Sequence, residues 1–119
     1  MRVGPFTLRW TAEATTTYER LRGDAKRAVE GRDERKQKKS SKQEGLFKQV
    51  HKCVQLLRQN PRHPGLNTHE YSSMANPFDP DDKVFEAYVQ NRTAGAYRMF
   101  WCYGPGKGEI TIIAITPHP

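Results

Sequence analysis

With 119 residues, 35% of them apolar, the chain has material for one domain with a modest core. A mean hydropathy of −0.88 implies a polar segment that stays outside that core. The formal charge of +7 and pI of about 9.6 suit either a plain basic domain or a partner of a polyanion, meaning nucleic acid or an acidic protein. MRVGPFTLRW has no apolar run of signal-peptide length and no stretch approaches a membrane span, so a cytoplasmic chain without membrane contact is expected.

Phe6 to Trp10 alternates apolar and polar residues, which predicts a short first strand with Phe6, Leu8 and Trp10 on one face. Thr11 follows as a candidate N-cap. Ala14, Tyr18, Leu21, Ala25 and Ala28 then recur at steps of four and three, the stripe of an amphipathic helix packed on one side, with Gly31 at its end. Residues 31–45 form a charge-rich extension; Arg32, Arg35, Lys36, Lys38, Lys39 and Lys42 supply much of the excess positive charge. Such a block is a solvated helical extension or loop, or an electrostatic arm for RNA phosphates, and the two are compatible.

A second helix is predicted between Ser41 and Asn60-Pro61, with Leu46, Val50, Cys53 and Leu57 in one row. Pro61 and Pro64 stop it. The two helices would form an αα-hairpin. LNTHEY, from Leu66 to Tyr71, reads as a short strand or an extended connector, and Ser72 to Asp82 as a loop. Asp79, Asp81 and Asp82 lack the ligand spacing of a calcium loop and are read as a turn. Cys53 and Cys102 have no CxxC spacing, so neither zinc nor a disulfide framework follows, and buried thiols are expected.

From Lys83 onward, three β-rich runs are separated by turn signals at residues 91–95 and 104–108. In the first run Phe85, Ala87 and Val89 share a face, opposite Glu86, Tyr88 and Gln90. In the second, Tyr97, Met99, Trp101 and Tyr103 oppose Arg98, Phe100 and Cys102. Ile110 to Ile115 is apolar on both faces, as suits a central strand. The fold class predicted is α+β: an N-terminal strand and a two-helix hairpin packed on a small twisted antiparallel sheet, with helices on one face and the other partly open.

The order LLRQNPRHPGLNTHEY, VFEAYVQNRTAGAYRMFW and ITIIAITPH resembles the RelE/ParE superfamily of bacterial toxin–antitoxin modules. Ala96 to Trp101 is similar to that family's Tyr-Arg strand, and ITIIAITPH to its last strand, which leads to a His or Arg. The resemblance spans residues 6–118 and implies a single RelE-like domain over 1–119 with a concave basic groove. It also implies a cognate antitoxin as partner. The RelE branch cuts mRNA on the ribosome without a metal or other cofactor, whereas the ParE branch is associated with inhibition of DNA gyrase. A non-catalytic RNA- or protein-binding domain of the same fold is the third reading.

Metal-free RNA cleavage needs activation of a ribose 2′-OH, charge stabilisation at phosphate and protonation of the leaving oxygen. The resemblance aligns Arg98 with the family's phosphate-binding Arg and His118 with its terminal His, a general acid or base. Glu86 is the candidate base, completing a Glu–Arg–His set. Arg92 is a second phosphate contact, and His69, Lys36, Lys38 and Lys39 are further RNA-binding candidates. Tyr88 and Gln90 stand where RelE itself carries lysines, and Pro119 follows His118 without RelE's Tyr-bearing extension.

Overall fold

In the computed structural model, which describes residues 5–31, 41–90 and 95–118, the elements follow the order β1 (Thr7–Trp10), α1 (Ala12–Glu30), α2 (Lys42–Gln59), β2 (His69–Glu70), β3 (Phe85–Tyr88), β4 (Tyr97–Tyr103) and β5 (Glu109–Pro117). A single turn of 3-10 helix, Pro64–Leu66, precedes β2. Lys36, Lys38, Lys39 and Arg92 lie outside the described residues.

Both helices start where side chains satisfy their first backbone donors. Thr11 Oγ1 accepts from Ala14 N–H at 3.1 Å and donates to the Ile113 carbonyl at 2.6 Å, so one hydroxyl caps α1 and ties its start to β5. Ser41 and Glu44 form a reciprocal capping box at α2: Ser41 Oγ accepts from Glu44 N–H at 3.1 Å, and Glu44 Oε2 accepts from Ser41 N–H at 2.7 Å. The α1 stripe buries Ala14, Leu21 and Ala25, and α2 buries Val50, Cys53, Val54 and Leu57. Asn60, extended at φ −159°, ends α2 ahead of Pro61.

The five strands form one sheet in the order β1-β5-β4-β3-β2. The expected antiparallel pairing holds for β2–β3, β3–β4 and β4–β5. It fails for β1–β5, which is parallel with Thr7 opposite Glu109 and Trp10 opposite Ile112. The whole of the intervening chain serves as the crossover that a parallel pair needs. The sheet is therefore mixed, with β5 and β4 in its centre.

The helices cover one face. There Phe6, Ala87, Val89, Met99, Trp101, Ile110, Ile112 and Ile115 pack against the buried residues of α1 and α2. Leu57, fully buried, anchors this layer, and Leu57→Ala would cost about 3 kcal/mol. The opposite face carries a second, smaller cluster of Val84, Phe100, Cys102, Ile113 and Ala114, covered by Tyr71 and Met74 from the β2–β3 connection. Tyr71 packs on Phe100 at 4.7 Å between ring centroids. Asn76 clips this cover shut: its Oδ1 accepts from Phe78 and Asp79 N–H, and its Nδ2 donates to the Lys83 carbonyl at 3.1 Å. Asp79 Oδ1 accepts from Asp81 N–H and Asp82 Oδ1 from Lys83 N–H, so these carboxylates serve turns.

The register of β4 on β5 shifts between Phe100 and Trp101, whose partners are Ala114 and Ile112. Ile113 is thus the extra residue of a β-bulge. Gly104 and Gly108, at φ +107° and +74°, bracket the β4–β5 turn, a conformation L side chains rarely adopt.

Candidate active site

The polar half of the sheet face opposite the helices is assembled by strand register. His69 lies opposite Glu86, Tyr88 opposite Arg98, and Arg98 opposite Thr116. Alternation sends Glu86, Tyr88 and Arg98 to one side of the sheet, away from Ala87, Val89 and Met99. Beyond β5, His118 N–H donates to the Ala96 carbonyl at 2.8 Å, so its backbone is held against the start of β4.

Glu86 is the centre. Its side chain is 3% exposed, whereas those of His69 and His118 are 47% and 46% exposed, so a buried carboxylate is flanked by two solvent-facing imidazoles. His69 Nε2 lies 2.6 Å from Glu86 Oε1, and His118 Nε2 lies 3.7 Å from Oε2. Arg98 Nε approaches the same Oε2 at 4.0 Å. A carboxylate removed from water is tolerated only with such cationic or hydrogen-bonding partners.

The hydrogen bonds constrain the proton inventory. His69 Nδ1 lies 3.0 Å from the Asn67 carbonyl, which can only accept, so Nδ1 carries a hydrogen. One further proton must then sit between His69 Nε2 and Glu86 Oε1. Among the described residues Glu86 Oε2 has no hydrogen-bond partner, and neither has Arg98 Nε, although both are buried. They face each other beyond hydrogen-bonding range, leaving one acceptor and one donor unused beside His118.

Arg98 is 3% exposed. Its Nη1 donates to the carbonyls of Gln90 and Tyr97 at 3.2 and 3.0 Å, and its guanidinium carbon sits 3.9 Å from the centre of the Tyr88 ring. His69 meets the same ring edge-on at 5.6 Å. Gln90 Oε1 accepts from Tyr97 N–H at 2.9 Å, joining β3's end to β4's start.

Of the residues singled out in the sequence, Glu86, Arg98, His118 and His69 thus come together, while Arg92 and the three lysines lie outside the described residues. Arg98 is buried: Tyr88 roofs it and backbone carbonyls hold it, so its positive charge faces Glu86 rather than solvent. Sequence reasoning missed Asn67 and the structural part played by Tyr88. The signal for Tyr88 was present, because it shares the polar face of its strand with Glu86 and stands one step along it.

No family model matches the chain, and no curated protein matches it in sequence. Among solved structures, a YoeB/ParE toxin from Agrobacterium tumefaciens matches over 95% of this chain and 99% of that one, with a TM-score of 0.55 at 10% identity. The chain has the RelE/ParE toxin fold. A copper-bound mutant toxin from Helicobacter pylori matches over 95% of this chain and 94% of that one, with a TM-score of 0.46 at 12% identity. In this RelE/ParE-like fold, the cluster around Glu86 occupies the sheet face that the two helices leave uncovered. Among the described residues, no helix is long and apolar enough to cross a membrane.

Proposed function

We propose that this chain is the toxin of a type II toxin–antitoxin module and acts as a metal-independent endoribonuclease on ribosome-bound mRNA, held in check by a cognate antitoxin. The observation that carries the reading is the buried Glu86 carboxylate between two exposed imidazoles, His69 and His118. The basic balance of +7 favours a polyanionic substrate, and the likeness of fold to a YoeB/ParE toxin supports the toxin assignment.

In this reading His118 takes the proton of a ribose 2′-OH, and the resulting imidazolium is stabilised by Glu86 Oε2 at its back. The 2′-oxygen attacks phosphorus and the 5′-oxygen leaves, receiving the proton that His69 Nε2 shares with Glu86 Oε1. The product is a 2′,3′-cyclic phosphate. Arg98 does not touch the substrate; it holds the Glu86 charge in place from beneath Tyr88.

Induced expression of the parent and of Glu86→Gln and His118→Ala variants tests this, with primer-extension mapping of cellular mRNA. Codon-phased cuts by the parent, and loss of cutting and of growth arrest in both folded variants, are expected. If both variants arrest growth as the parent does, the nuclease assignment is wrong; intact mRNA with damaged DNA would point to gyrase instead.

A further inference from the structure

The single turn that leads into β2 is fastened at three points. Leu66 is fully buried in the helix-side core. His63 Nδ1 accepts from Gly65 N–H at 2.9 Å, and Asn67 N–H donates to the Pro64 carbonyl at 3.1 Å. Asn67 then takes φ +48° and ψ +42°, and among the described residues no other non-glycine has a positive φ. Asparagine enters this left-handed region at little cost, whereas a β-branched side chain is strained there.

That left-handed step aims the Asn67 carbonyl at the ring two residues on, where it accepts from His69 Nδ1–H at 3.0 Å. The Asn67 side chain is exposed and makes no hydrogen bond among the described residues, so position 67 supplies a carbonyl direction set by its backbone. The direction matters for proton chemistry. His69 Nε2 shares a proton with Glu86 Oε1 across 2.6 Å. An imidazole can give up its Nε2 proton and remain a neutral ring only when Nδ1 holds another; with Nδ1 bare, the same loss makes an imidazolate. Glu86 holds a hydrogen at Nε2, and the Asn67 carbonyl holds the second one at Nδ1.

We propose that Asn67 is a positioning residue: its left-handed backbone keeps Nδ1 of His69 protonated, and this lets His69 surrender the Nε2 proton. Asn67 acts only through His69, and its side chain is dispensable. The consequence for cleavage rests on the ribonuclease reading, in which that proton goes to the 5′-oxygen. The state of Nδ1 does not rest on it.

Nitrogen-15 spectra of the ring nitrogens separate protonated from bare sites in each of the four histidines, with His69 assigned by His69→Gln. At neutral pH His69 Nδ1 should read as protonated in the parent and in Asn67→Gly, which keeps the left-handed step. In Asn67→Val it should move toward the bare state. On mRNA held on purified ribosomes, Asn67→Val should lower kcat on the order of a hundredfold while KM changes by less than about twofold. Asn67→Gly should cut as the parent does. Thermal unfolding and the His63 signals report whether the turn is still closed; where valine opens it, Asn67→Ala takes its place, with the same change to a smaller extent. An Nδ1 already bare in the parent, an Nδ1 that stays protonated in the valine and alanine variants, or a glycine variant as impaired as valine overturns the proposal. If Nδ1 responds as expected in a parent that cuts no RNA, Asn67 keeps its role toward His69 and the ribonuclease reading is what fails.

Discussion

Tyr88 and Arg98 face each other across β3 and β4, and the phenol ring lies over the guanidinium at 3.9 Å. Tyr88 is thus the lid that lets a positive charge sit beside Glu86 without open contact with water. Tyr88→Ala should cost about 1–2 kcal/mol and make stability more sensitive to salt, because the pair beneath becomes screened. Tyr88→Phe keeps the ring and should lose less. Chemical unfolding at low and high ionic strength measures both; equal losses for Ala and Phe would show that the ring face contributes nothing.

Removing the charge of Glu86 leaves Arg98 buried without its counter-ion. Glu86→Gln, close in volume, should destabilise the fold by about 3 kcal/mol. Adding Arg98→Met should restore part of that loss, because no unpaired buried charge then remains. Urea midpoints of the two singles and the double form the cycle; purely additive losses would mean the two side chains do not interact.

Thr11 serves α1 and β5 with one hydroxyl, so Thr11→Ala should cost about 1–2 kcal/mol, and Thr11→Ser only a fraction of it. Ser41→Ala removes half of the capping box and should cost about 1 kcal/mol. Thermal unfolding of the three variants reads these out, and a Ser at position 11 as damaging as Ala would argue against the hydroxyl.

Burial pushes the Cys53 thiol up to about 12 and the Cys102 thiol up to about 11, the latter raised further by the Asp82 charge. Neither should react with a thiol-disulfide reagent at pH 8 in the folded protein, and both should react in urea. The linkage has a definite sign. Unfolded thiols release their protons near 9.0 while the folded ones retain them, so stability is independent of these groups below pH 9 and falls as pH rises from there toward 11 and beyond. A native protein that labels fast at either cysteine would overturn this.

Much of the architecture is legible in residue order because it rests on local signals. The α2 start at Ser41 follows from a cap and a capping-box Glu three residues on, and the alternation of Phe85 to Tyr88 and Tyr97 to Tyr103 assigns their faces. Parallel pairing of β1 with β5 rests on tertiary closure between Thr7 and Glu109, for which no local pattern exists. Tyr71, at the end of a short connector, and Met74, in a turn-rich loop, look like isolated apolar residues until Phe100 lies beneath them. In the site, Glu86, Arg98 and His118 are visible as polar groups within β-rich sequence. The His69–Glu86 contact depends on a two-residue strand, too short for any periodicity to announce. Nor does residue order show that Arg98 is buried, since that depends on which aromatic lies above it.

The bulge at Ile113 has a stereochemical consequence. Ile110 and Ile112 point toward the helices, and in a strand of unbroken phase Ala114, Thr116 and His118 would point there too. One inserted residue reverses the parity, so that the same strand seals the helix layer with its first half and delivers His118 to Glu86 with its second. The imidazole reaches the carboxylate through an offset in counting, without any kink in a helix or rearrangement of a loop.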